Sequence, residues 1–97
     1  MFIVLLRFSE NKSSASRFMA EHEQWISDGL RDGGFLVTGT VPGVGGAVVV
    51  SGGSRSALDA RVARDPFVRE GVVIPEVVEI VPGQIDSRLH SLIGGAT

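Results

Sequence analysis

The chain predicts an α+β fold of order βαββαβ, on three observations. Short β-rich apolar runs occur four times, amphipathic segments lie after the first and third of them, and a glycine-rich stretch joins the middle two. A chain of that order lays two helices on one face of a four-stranded antiparallel sheet, the ferredoxin-like arrangement.

Residues 2–8 are short, apolar and rich in β-formers, which predicts a buried strand. Glu10-Asn11-Lys12-Ser13-Ser14 breaks it and offers serines to cap a helix. Over residues 15–31 the apolar positions Ala15, Met19, Ile26 and Leu30, with Phe18 and Trp25 beside them, recur at helical spacing and predict an inward stripe. Asp32-Gly33-Gly34 then ends the helix.

Residues 35–41 and 47–50 are β-rich, and Pro42-Gly43-Val44-Gly45-Gly46 between them turns the chain into a hairpin. Ser54 or Ser56 caps a second helix, whose inward positions Leu58 and Val62 lead to Asp65; Pro66 discourages its continuation. Residues 72–81 supply the last strand. After Pro82-Gly83, the spacing of Ile85, Leu89, Leu92 and Ile93 predicts a short helical tail, so residues 1–82 read as one domain and 83–97 as an appendage.

Three of the strands are apolar at both alternating sets of positions, as in Phe2-Ile3-Val4-Leu5-Leu6 and Ala47-Val48-Val49-Val50. Both sheet faces therefore call for cover, and two helices supply it on one side only. The bare face would exceed the apolar patch a monomer usually tolerates, so a two-fold homodimer is expected.

Composition narrows the function classes. The 97 residues, 43% hydrophobic and 21% charged, suit one folded domain with a sizeable core. A net charge of −2 with 9 Lys and Arg gives no footprint for a phosphate backbone, so no nucleic-acid partner is expected. The absence of cysteine removes disulfides, thiolate nucleophiles and Cys-based metal sites. No apolar run approaches the roughly 20 residues of a membrane span, and Arg7 cuts short the one run that resembles a leader, so a cytoplasmic protein is expected.

Two groups able to exchange protons stand on apolar stripes. His22 follows Phe18 by four and Met19 by three, and precedes Trp25 by three and Ile26 by four, so its imidazole points toward the core. A buried imidazole needs polar partners, at a cost of about 1 to 3 kcal/mol if one is unmet. Asp65 follows Leu58 by seven and Val62 by three, on the inward side of the second helix, where a carboxylate opposes the macrodipole. Asp65-Pro66-Phe67-Val68 also reads as an N-cap with proline in the first helical position.

Trp25 is a candidate aromatic wall for a ligand, or simply a core or interface residue, and Arg7 a candidate to greet a substrate anion, or an ordinary ion-pair partner. No nucleophile motif is present, Gly43-Val44-Gly45-Gly46 precedes a strand rather than a helix, and His90 has no companion at ligand spacing. No metal and no cofactor are expected.

The strings Ala20-Glu21-His22-Glu23-Gln24-Trp25, Gly33-Gly34-Phe35-Leu36-Val37-Thr38-Gly39 and Asp65-Pro66-Phe67-Val68-Arg69-Glu70-Gly71-Val72 resemble the YciI-like family (YCII-related domain) over residues 1–82. The resemblance implies a dimeric α+β barrel with a His/Asp active site at His22 and Asp65, and lyase-like or dehydrohalogenating chemistry on small ring compounds. The loop Pro42-Gly43-Val44-Gly45-Gly46 is short where relatives often carry a longer one near the cleft.

Together these readings predict a small-molecule enzyme of lyase, isomerase or dehydrohalogenase type, with Asp65 holding one ring nitrogen of His22 so that the other takes or gives a proton. The alternative on the same fold is a non-catalytic ligand-binding or accessory module; a cofactor-free monooxygenase is a third.

Overall fold

The computed structural model describes residues 1–93. Its elements are β1 (Phe2–Phe8), α1 (Ala15–Arg31), β2 (Phe35–Val41), β3 (Gly45–Val50), α2 (Arg55–Ala63), α3 (Pro66–Arg69) and β4 (Val73–Glu79), with single 3-10 turns at Lys12–Ser14 and Ser87–Leu89. The four strands form one sheet in the order β2-β3-β1-β4, and every neighbouring pair is antiparallel. This is the expected α+β, ferredoxin-like architecture.

Register assigns the faces. Phe2, Val4 and Leu6 of β1 pair with Val50, Val48 and Gly46 of β3, and these positions face the helices. Phe2, Val4, Leu6, Val48 and Val50 are buried there with Phe35, Leu58, Val62, Phe67 and Val73. β3 starts at Gly45, ahead of the predicted residue 47, and pairs with Arg7 and Val41. A Cβ at Gly45 would lie 2.0 Å from the Leu6 carbonyl oxygen, so this glycine is a strand residue needed for close backbone approach.

The inward stripe of α1 also departs from the expectation. The helix buries His22, Trp25 and Gly29, with Ala15, Phe18 and Ile26 partly buried, whereas Met19 and Leu30 are 40% and 45% exposed. The stripe therefore runs 15-18-22-25-29, centred on the histidine. Gly29 belongs to it because Phe35 packs where a side chain would sit; a Cβ there would lie 2.0 Å from the Phe35 ring.

After β3, Ser54 caps α2, its side-chain oxygen accepting from the Ala57 N–H at 3.1 Å, and Leu58 and Val62 are buried beneath that helix. α2 ends at Ala63, and Asp65 is the N-cap of α3 rather than part of the α2 terminus, because Pro66 occupies the first helical position and Asp65 is extended at φ −62°, ψ 125°. The opposing-dipole reading of Asp65 is thereby replaced by a favourable one.

The other sheet face presents Ile3, Leu5, Val37, Ala47, Val49, Ile74 and Val78, with Val37 and Ile74 59% and 62% exposed. The segment after β4 returns beside one end of this face. Ile93 is buried, and Leu89 and Leu92 share a hollow with Met1, Leu30, Leu36, Val37 and Val49. The last part of the expected tail, residues 94–97, lies outside the described residues. No helix among the described residues is long and apolar enough to cross a membrane.

Candidate active site

The cap of α3 and the buried stripe of α1 meet at one hydrogen bond. Asp65 is fully buried, and its Oδ1 accepts both from the Phe67 backbone N–H at 3.1 Å and from His22 Nδ1 at 2.7 Å. A carboxylate only accepts, so against ionised Asp65 it is Nδ1 that donates, and in the neutral imidazole Nε2 then presents a lone pair.

The ring is held from its face as well. The Phe67 ring stacks on the imidazole at 3.9 Å between centroids and 4° between planes, and Trp25 lies 6.1 Å away at 23°. The sequence dictates this locally: Asp65 caps through the Phe67 N–H, so the residue that receives the cap also supplies the ring that flattens His22.

Among the described residues, Asp65 Oδ2 is the buried side-chain oxygen without a partner. Such burial costs about 1 to 3 kcal/mol, a cost the Ser54 cap of α2 avoids. His22 Nε2 has no partner among the described residues either, yet it is not fully buried, and so reaches open space.

That space is a cavity of about 270 Å³ between α1 and the sheet. Met19, His22, Glu23 and Ile26 line it from α1, Leu6 and Phe8 from β1, Thr38, Gly39 and Thr40 from β2, Gly46 from β3, and Phe67 and Val73 from the α3–β4 side. Its walls are chiefly apolar with a few polar groups, the composition of small-molecule sites. The arrangement can pass a proton between Nε2 and a ligand while the buried carboxylate offsets the charge formed.

Thus His22 and Asp65 come together, while Arg7 and Trp25 do not join them at the cavity. Arg7 pairs with Glu76 at 2.9 Å, both at the far sheet face. Trp25 donates from Nε1 to the Arg61 carbonyl at 3.0 Å and packs edge-on to Phe35, so it braces the core behind the histidine.

The sequence reading passed over Glu23, Thr38, Thr40 and Phe67. The threonines were hidden by a register shift: regular alternation from Phe35 puts Thr38 and Thr40 on the outer face, and the irregularity between Phe35 and Val37 turns them to the helix side instead.

No family model matches the sequence, and no curated protein matches it. A solved structure shares the fold. It is 5-chloro-2-hydroxyhydroquinone dehydrochlorinase (TftG) from Burkholderia phenoliruptrix AC1100, in complex with 2,5-dihydroxybenzoquinone, similar with a TM-score of 0.68 over 82% of this chain and 93% of that one. At 16% identity this likeness speaks for the architecture.

Proposed function

We propose that this protein is a cytoplasmic, homodimeric enzyme of the YciI-like kind that performs cofactor-free acid/base chemistry on small ring compounds. His22 is the catalytic residue and Asp65 positions it. The observation that carries this reading is the 2.7 Å bond between His22 Nδ1 and a fully buried carboxylate, in a ring that borders a cavity of about 270 Å³. The burial of Asp65 Oδ2 supports it, because capping α3 uses Oδ1 alone and does not call for a second, unpartnered carboxyl oxygen in the core. The dehydrochlorinase of like fold, with its oxygenated ring ligand, supports the choice of substrate class.

In this mechanism Nε2 removes a proton from a ring carbon or hydroxyl. The released electron pair forms a new double bond and expels a leaving group such as halide, or the proton returns at another position in an isomerisation. The carboxylate of Asp65 and the face of Phe67 both favour the positive charge the imidazole then holds. Arg7 and Trp25 have no substrate contact in this reading. The dimer would form on the bare face carrying Ile3, Leu5, Val49 and Val78, with residues 1–82 as the catalytic domain and the remainder as its tail.

The test is a turnover screen of halogenated and hydroxylated ring compounds, followed by His22→Ala. The expected loss in kcat is about 100- to 10,000-fold, the worth of a positioned acid/base group. Unchanged turnover by the variant would overturn the mechanism, and tight retention of an unaltered ligand by both proteins would assign the cavity to a binding module instead.

A further inference from the structure

The cavity has a polar wall that the His22–Asp65 pair does not use. Thr38 pairs with Val48 and Thr40 with Gly46, positions that share the helix-facing side with Val4 and Leu6, so both threonines stand where the rest of that face is apolar. Both line the cavity. Neither hydroxyl bonds to a protein group among the described residues. The hollow lies between α1 and the sheet, so the threonines line it from the sheet and His22 lines it from the helix packed above.

The charge inventory is equally specific. No Lys or Arg lines the cavity, and Glu23 lines it one residue from His22, in no ion pair among the described residues. A carboxylate at the mouth with no cation inside repels a carboxylate or phosphate and leaves a neutral guest unaffected.

We propose that Thr38 and Thr40 orient a neutral ring by hydrogen bonds to its hydroxyl or carbonyl oxygens, turning its opposite edge toward His22 Nε2, while Glu23 discriminates against anionic rings of the same size. This inference rests on the cavity beside His22 being the ligand site. A threonine hydroxyl both donates and accepts, so the pair serves either kind of oxygen. One ring of this kind matches a hollow of about 270 Å³.

The experiment titrates the full chain with hydroquinone and with 4-hydroxybenzoate, followed by calorimetry and by amide shifts of cavity residues. The native protein is expected to bind hydroquinone about tenfold more tightly than 4-hydroxybenzoate. Thr38→Val and Thr40→Val each weaken hydroquinone by about three- to tenfold, the worth of one neutral hydrogen bond, while Thr38→Ser and Thr40→Ser hold within about twofold. Glu23→Gln narrows the preference for the neutral ring by about threefold.

Equal hydroquinone affinity in the valine variants, equal binding of the two probes by the native protein, or no hydroquinone binding in the cavity would each overturn the proposal. Because binding is read without turnover, these outcomes are independent of whether His22→Ala abolishes catalysis.

Discussion

Phe35 and Thr38 lie three residues apart on β2 and face the same helix, yet one is sealed in the core and the other borders a hollow. At the first end, Phe35 rises into the space left by Gly29, meets Trp25 edge-on at 4.9 Å between centroids, and is roofed by the Arg61 guanidinium at 4.6 Å. At the second, β2 and β3 offer only Thr38, Gly39, Thr40 and Gly46 beneath Met19, His22 and Ile26. The difference shows how one helix–sheet interface can supply both stability and a site. Large side chains fill the end that holds the helix down, and small ones keep the end with the imidazole open.

The sharpest way to break this contrast is to empty the filled end. Phe35→Ala is expected to cost about 3 to 5 kcal/mol in urea unfolding, as for other buried aromatic truncations. Asp65→Ala comes next, at about 1 to 3 kcal/mol, since it removes a helix cap and leaves the His22 Nδ1–H unpaired in the core. Asp65→Asn keeps an oxygen for the cap, and that same oxygen still accepts from His22 Nδ1, so the tautomer is kept while the negative charge is lost. It should therefore fold while losing about 10- to 100-fold in kcat once a substrate is in hand, because a neutral amide no longer offsets the charge formed on the imidazole.

The element pattern was legible in the sequence because periodicity and punctuation agreed. The bounds of β1, α1 and β2 coincide with residues 2–8, 15–31 and 35–41, where alternating or helical apolar patterns end at serine, glycine or proline. The site was legible only in part. His22 stood out as a polar residue on an apolar stripe, but the stripe itself was placed one step off because Gly29 contributes to it by having no side chain, which hydropathy does not register. The role of Asp65 as a cap was visible in the Asp-Pro dipeptide, whereas its 2.7 Å approach to His22 depends on how α3 docks against α1, a contact across 43 residues that no local pattern encodes. The cavity was hidden for a related reason: it is made of what Thr38, Gly39, Thr40 and Gly46 fail to fill.

One chemical change made at both ends sharpens the comparison. Gly29→Ala puts a Cβ 2.0 Å from the Phe35 ring and should destabilise by about 1 to 3 kcal/mol through overpacking. Gly46→Ala puts one 3.5 Å from the Gly39 carbonyl oxygen and 4.0 Å from Leu6, ordinary contacts, and should change stability by less than about 1 kcal/mol. Equal costs at the two positions in a urea titration would mean that the interface is packed alike along its length.

The smallest effect concerns the clamp over the filled end. Asp32 accepts from Arg61 at 2.7 Å and from the Gly34 N–H at 2.8 Å, and these bonds, the Arg61 one foremost, hold its carboxyl below the ordinary value of 3.8. A carboxyl lowered in the folded state stabilises it above the unfolded value, and that contribution disappears as pH falls through the folded one. The carboxylate is 53% exposed, so solvent screens the pair and the effect at neutral pH is about 0.5 kcal/mol. Asp32→Asn should therefore lower the urea midpoint slightly at pH 7 and not at all once the native carboxyl is protonated. A difference of the same size at both pH values would mean that Arg61 stays over Phe35 by stacking alone, and that the filled end owes nothing to the ion pair above it.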